Sequence, residues 1–209
     1  MTRRRLTRSR ISPFTNARLY CPKPKRWADA VPGDPMTDLD KLIAKDAIRD
    51  LAARYMRGQD RLDADLQMAT FWPDSTTDYG IFVGSGPEFV RFAQELLTEH
   101  LANQHLIGQH LIEFDPDNAD VAYGEVYFYA FHRIMADGVP SDMTICGRYI
   151  DRYERRDGEW RFAHRSEVND WARMEPAADA FLQTDLADAL FGRHDMQDRS
   201  YDRAWLKTA

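Results

Sequence analysis

The chain has 209 residues, 44% hydrophobic and 12% aromatic, with a formal net charge of −6. That length suits one domain with appendages and a real core, and no run approaches the roughly 20 apolar residues of a membrane span. The charge is split: nine Lys/Arg against two Asp give residues 1–35 a net +7, which leaves −13 for the rest. An acidic body argues against nucleic-acid binding by the folded part.

Residues 1–35 lack apolar periodicity and contain five prolines, so they read as a disordered basic extension. No apolar stretch follows Arg3-Arg4-Arg5, which argues against export. Cys21 in that extension and Cys146 in a predicted strand point to reduced thiols and a cytoplasmic protein. From Thr37 the pattern turns helical, with Leu39, Leu42, Ile43, Ile48, Leu51, Ala52 and Tyr55 at helical spacing. A short helix is predicted over 63–70, broken by Trp72-Pro73-Asp74. A strand follows over 76–83, and then a helix opened by Pro87. Four longer strands are predicted over 105–114, 120–135, 143–156 and 159–170, separated by turn-forming residues such as Asp157-Gly158. A last helix is predicted over 177–191, followed by a polar tail. Helices first and an antiparallel meander after them indicate an α+β fold, organised as an extension over 1–35, a domain over 36–172 and a C-terminal segment over 173–209.

Strand parity divides 120–135 into two faces. Val126, Phe128, Ala130 and His132 share one, which would line a core and pocket. Tyr127, Tyr129 and Phe131 share the other, which would meet a partner subunit in a dimer or trimer, or lie under the C-terminal helix. Within this frame Asp60, just past the end of the first helix, and His105, opening a strand, are the candidate reactive pair. A carboxylate that fixes one imidazole nitrogen leaves the other as a base. His105 and His110 are five apart on one strand and so point to opposite faces unless a bulge intervenes. Neither a shared metal nor any cofactor is expected, since no metal-ligand spacing and no glycine-rich phosphate loop is present. Arg165, Glu167 and Asn169 share a face of the last strand, which suits either a pocket for a polar substituent or solvent.

Gln104-His105-Leu106-Ile107-Gly108 and Thr77-Asp78-Tyr79 resemble motifs of scytalone dehydratases, and His132 falls where those enzymes have a second histidine. Gly58-Gln59-Asp60 and the run Tyr153–Trp160 resemble hexachlorocyclohexane dehydrochlorinases. The chain thus resembles, over about residues 37–172, the SnoaL-like branch of the nuclear transport factor 2-like superfamily. The resemblance implies three helices packed on a strongly curved antiparallel sheet forming a cone. It implies an Asp60–His105 dyad, with Tyr79 and His132 bonding the reacting oxygen or a water that serves it. It also implies a pocket with Tyr55, Trp72, Phe128, Ile145, Tyr149, Arg165 and Asn169 around a small apolar or aromatic substrate. The activity implied is a cofactor-independent lyase that eliminates water or cleaves a C–C bond by retro-aldol chemistry. The alternative is a non-catalytic small subunit of a ring-hydroxylating dioxygenase, or a binding module. Gln59 stands where the dehydratases have a tyrosine.

Overall fold

The computed structural model describes residues 36–186 and 188–207; the basic extension, with Cys21, lies outside the described residues. Helix α1 (Asp38–Asp60) starts with a capping box. The Thr37 hydroxyl accepts from the Asp40 backbone N–H, and the Asp40 carboxylate accepts from the Thr37 N–H. Both donors would otherwise be open at a helix start. Only from Ala44 onward does α1 bury its apolar stripe; Leu39, Leu42 and Ile43 stay exposed. Helix α2 (Ala64–Met68) is one turn, capped by Asp63.

Strand β1 (Phe71–Asp78) begins five residues before the predicted strand. Trp72-Pro73 does not break it, because Pro73 falls in the irregularity between Phe71 and Thr76, where a missing N–H costs no ladder bond. Strand β2 (Val83–Ser85) pairs back on β1, and helix α3 (Gly86–Thr98) follows, with Pro87 in its first turn and a Ser85–Glu88 capping box. Then come β3 (Ala102–Phe114), β4 (Val121–Ala136), β5 (Val139–Arg156) and β6 (Glu159–Pro176). The β4–β5 and β5–β6 hairpins turn on Asp137-Gly138 and Asp157-Gly158, all four at positive φ. That geometry matches the twist of the flanking strands, so β5 starts at Val139 rather than Met143.

The six strands form one curved sheet in the order β2-β1-β6-β5-β4-β3. The meander β3–β6 is antiparallel, but β1 lies parallel to β6, which makes the sheet mixed. Local turn signals cannot announce that pairing, because its partners lie far apart in sequence. Bulges at Ile107/His110, Cys146/Gly147 and Arg152/Tyr153 bend the strands. The close approach of β5 to β6 needs Gly147, where a Cβ would come within 2.2 Å of the Val168 carbonyl oxygen.

The concave face carries the core. Val126, Phe128, Ala130 and His132 are buried there, while Tyr127 and Tyr129 on the other face are 44% and 43% exposed. The predicted helix over 177–191 does not form. A single 3-10 turn spans Ala180–Gln183, and Phe181, Leu190 and Phe191 remain exposed. Leu186 likewise stays exposed rather than packed, so tertiary packing gives a helix there no support. Among the described residues, no helix is long and apolar enough to cross a membrane.

Candidate active site

Asp60 is the last residue of α1. The C-terminal end of a helix carries partial negative charge and disfavours a carboxylate, so Asp60 contributes nothing to the helix. Its side chain instead crosses to β3. Oδ1 lies 2.7 Å from Nδ1 of His105, and Oδ2 accepts the His105 backbone N–H at 3.0 Å. The two bonds lock both the strand and the imidazole. Since a carboxylate only accepts, Nδ1 carries the hydrogen and Nε2 keeps its lone pair.

His105 lines a cavity of about 350 Å³, toward the small end of ordinary ligand sites. Its walls are mostly apolar. Helix α3 supplies Phe89, Phe92, Leu96 and Leu97, and the sheet supplies Phe128, Ala130, Ile134, Met143, Ile145 and Tyr149. The polar groups are few: Gln59, Tyr79, His100, His105, His132 and Glu167.

Three further histidines converge on Asn103. Its Oδ1 accepts from Nδ1 of His100 at 2.9 Å and from Nδ1 of His132 at 3.1 Å, and its Nδ2 donates to Nε2 of His194 at 2.9 Å. The His132 ring stands edge-on to both His100 and His105, with centroids 5.1 Å apart. Burial pushes His100 and His194 below the usual imidazole value, and it pushes His132 down to about 3. Of these four imidazoles only His105 has a carboxylate bonded to its ring. It is therefore the one whose imidazolium a bonded carboxylate would stabilise. His132, neutral and already donating from Nδ1, offers a lone pair. It can hold a hydroxyl or a water, but it has no hydrogen left for an oxyanion.

His194 belongs to the predicted tail, which packs on the end of α1. Arg61 donates to the Arg193 carbonyl, Arg57 to Ser200 Oγ, and Tyr201 OH to Asp63, at 3.0, 3.1 and 2.7 Å. Nothing in the tail's composition signals this docking. Asn103 and His100, also missed, sit beside the His105 motif in sequence.

The other sequence-predicted residues divide. Phe128, Ile145 and Tyr149 line the cavity, and so does Tyr79, whose ring stacks on Phe89 at 3.8 Å. Tyr55 lies behind it, its OH 2.7 Å from the Tyr79 OH. Burial raises both phenols, Tyr55 to about 12. Trp72 is not a wall of this cavity. Phe71 takes the inward position, and Trp72 projects the other way, donating to the Glu154 carbonyl between Arg156 and Arg161. Arg165 does not reach the cavity either. It is fully buried and grips Asp151 with two bonds of 2.8 and 2.7 Å, stacked among Tyr55, Tyr149 and Phe162. Asn169 is exposed, on the strand face of Glu167.

The bulge between Ile107 and His110 alters the predicted parity, and His110 turns inward as well. It meets a different partner: its Nε2 donates to the Tyr153 OH at 3.0 Å, and that hydroxyl donates to Asp151 at 2.7 Å. No group of three or more His, Cys, Asp or Glu among the described residues is arranged to hold a metal ion.

Burial pushes His110 down to about 4. Both His110 and His132 thus titrate below the ordinary imidazole value of 6.5, and below that value the unfolded chain binds the extra protons. The stability these positions contribute is complete above about pH 6.5 and is lost as pH falls through the acidic range. Melting temperature should therefore drop from pH 6.5 to pH 4, and less steeply in His132→Asn. Equal slopes in the two proteins would contradict the burial of a neutral His132.

No protein of curated function matches this sequence. Solved structures do. A type 2 hexachlorocyclohexane dehydrochlorinase is 26% identical, covering 68% of this chain and 94% of its own, with a TM-score of 0.60. A scytalone dehydratase-like protein from Novosphingobium aromaticivorans, 20% identical over 66% of this chain and 91% of its own, shares the fold with a TM-score of 0.58. The type 3 dehydrochlorinase of Novosphingobium barchaimii, 24% identical over 68% and 95%, likewise shares the fold with a TM-score of 0.60. Residues 40–166 match the SnoaL-like domain, and with the cone of helices on a curved sheet they place this chain in the SnoaL-like family of the nuclear transport factor 2-like superfamily.

Proposed function

We propose that the protein is a cofactor-independent lyase that uses His105 as base, oriented by Asp60, on a small and largely apolar molecule. The observation that carries this reading is the doubly bonded Asp60–His105 pair opening onto an apolar cavity. A binding module gains nothing from such a pair, because an orienting carboxylate matters only when the imidazole takes a proton. The lyase reading also fits the dehydrochlorinase likeness.

The substrate's aromatic or aliphatic body lies between α3 and the sheet. His105 Nε2 takes a proton from carbon or from a hydroxyl. Tyr79 donates toward the oxygen on which charge develops, and His132 holds a hydroxyl or a water. Gln59 contributes an amide whose Oε1 is buried and unpartnered in the protein. A buried acceptor of this kind costs stability unless a ligand or water donates to it, and it therefore suits a substrate hydroxyl.

One compound separates the two chemistries. The aldol of benzaldehyde and acetone, a β-hydroxy ketone, yields benzylideneacetone and water by elimination, but benzaldehyde and acetone by retro-aldol cleavage. Formation of either pair faster than in buffer supports a lyase. Binding without turnover of this and related hydroxy ketones would support a carrier.

We further propose that the exposed convex face mediates self-association into a dimer or trimer. Leu106, Leu111, Tyr127, Tyr129 and Trp171 are each 43–53% exposed, and among the described residues the C-terminal segment forms no α-helix to cover them. Apolar area of this extent on a soluble domain is typical of a subunit interface. Light scattering should give an oligomer for the unmodified protein and a monomer for Tyr127→Glu/Tyr129→Lys. A monomer mass for the unmodified chain would contradict the interface.

A further inference from the structure

Among the described residues Glu167 of β6 is the one carboxyl on the cavity wall, Asp60 lying behind His105, and the resemblance assigns Glu167 no role. It pairs across the ladder with Tyr149 of β5, one of the apolar-lined positions, so its side chain points into the concave face. Two strands separate it from His105 along the sheet, and the curvature brings both onto one cavity. Its neighbours are neutral hydrogen-bonding groups, Tyr149 and Asn169. The nearest permanent cation, Arg165, is committed to Asp151 by two bonds. Hydrogen bonds from Asn169 and Tyr149 and the nearby His105 and Arg165 favour the ionised form, but burial outweighs them and raises the carboxyl above the ordinary glutamate range.

We propose that Glu167 is the acid that protonates the leaving oxygen, so that this cavity favours loss of water over loss of halide. The inference rests on the lyase reading above and refines it. His105 Nε2 takes the proton from carbon, and the C–H electron pair becomes the new C=C bond. The C–O pair departs with the oxygen, which takes the Glu167 proton and leaves as water. The imidazolium and the carboxylate that remain are reset by proton exchange through solvent. A chloride leaves as a stable anion and needs no such proton; a hydroxide does. An acid and a base held on different walls of one cavity are what hydroxyl elimination requires.

Two measurements test this. Infrared difference spectra of the wild-type protein against Glu167→Gln, taken in heavy water as pH rises past the ordinary glutamate value of 4.5, should keep the carbonyl stretch of a protonated carboxyl above that value. Carboxylate bands alone would overturn the proposal, whatever the turnover shows. The second measurement compares the benzaldehyde–acetone aldol with its β-chloro counterpart, since both give benzylideneacetone. Glu167→Gln should slow loss of water by about 10²-fold or more and leave loss of chloride within about two-fold. An equal loss on both compounds would mean that Glu167 merely supports the cavity. His105→Ala should lose both reactions, so failure of the acid and failure of the base give different patterns.

Discussion

His105→Ala is expected to lower turnover by about 10²–10⁴-fold, the usual worth of a positioned acid–base group, with the fold and assembly state intact. The ring is buried against Asp60, so its loss costs some stability, but the strand stays pinned through the backbone N–H bond to Asp60. Asp60→Asn should act differently. An amide oxygen can still accept from Nδ1, but an amide NH₂ there would reverse the tautomer, and neither form stabilises the imidazolium. We expect a large fall in kcat with little change in KM, because the lost interaction exists only once the proton has moved. The aldol assay checks both variants. Turnover near wild type in either would remove the pair from the mechanism.

Arg165→Met should be the most destabilising single change, by about 3–5 kcal/mol, the cost of leaving a buried charge without its partner. Arg165 and Asp151 are both fully buried in their side chains. Asp151 also accepts from Tyr153, which in turn accepts from His110. Removing the guanidinium strands that carboxylate beneath the cavity floor and leaves a gap among Tyr55, Tyr149 and Phe162. The double variant Arg165→Met/Asp151→Leu should recover much of the loss, since a buried ion pair replaced by apolar groups is often close to neutral. Urea denaturation of the three proteins measures this. A loss under about 1 kcal/mol for Arg165→Met would show that water or another group already serves Asp151.

These two positions also show what a sequence can and cannot reveal. Alternation along β4 was legible, because a strand with one buried face must place Val126, Phe128, Ala130 and His132 together. The first helix and the strand of His105 were legible for the same local reasons, although α1 runs on through Asp60 and β3 starts at Ala102 rather than at His105. Parity puts Arg165, Glu167 and Asn169 on one face but does not say whether that face meets a pocket or solvent. Whether an inward arginine meets substrate or a carboxylate depends on Asp151 across the ladder, and that is a tertiary fact. The β3 bulge defeated parity outright, since one extra residue returns His110 to the side of His105. Trp72 leaves the expected pocket because β1 starts at Phe71, and alternation from that buried residue turns Trp72 to the other face. The Asn103 cluster could not be assembled in advance, because one of its histidines comes from a tail with no periodic signal.

The most direct measurement of the central claim is hydrogen exchange at carbon, with no leaving group involved. Benzylacetone has the carbon skeleton of the aldol but nothing to eliminate, so only the base acts on it. In heavy water, wild-type protein should accelerate deuterium uptake beside the carbonyl, and His105→Ala should leave it at the rate in buffer. Equal uptake with both proteins, or none above buffer with the wild type, would contradict His105 as the base of this site.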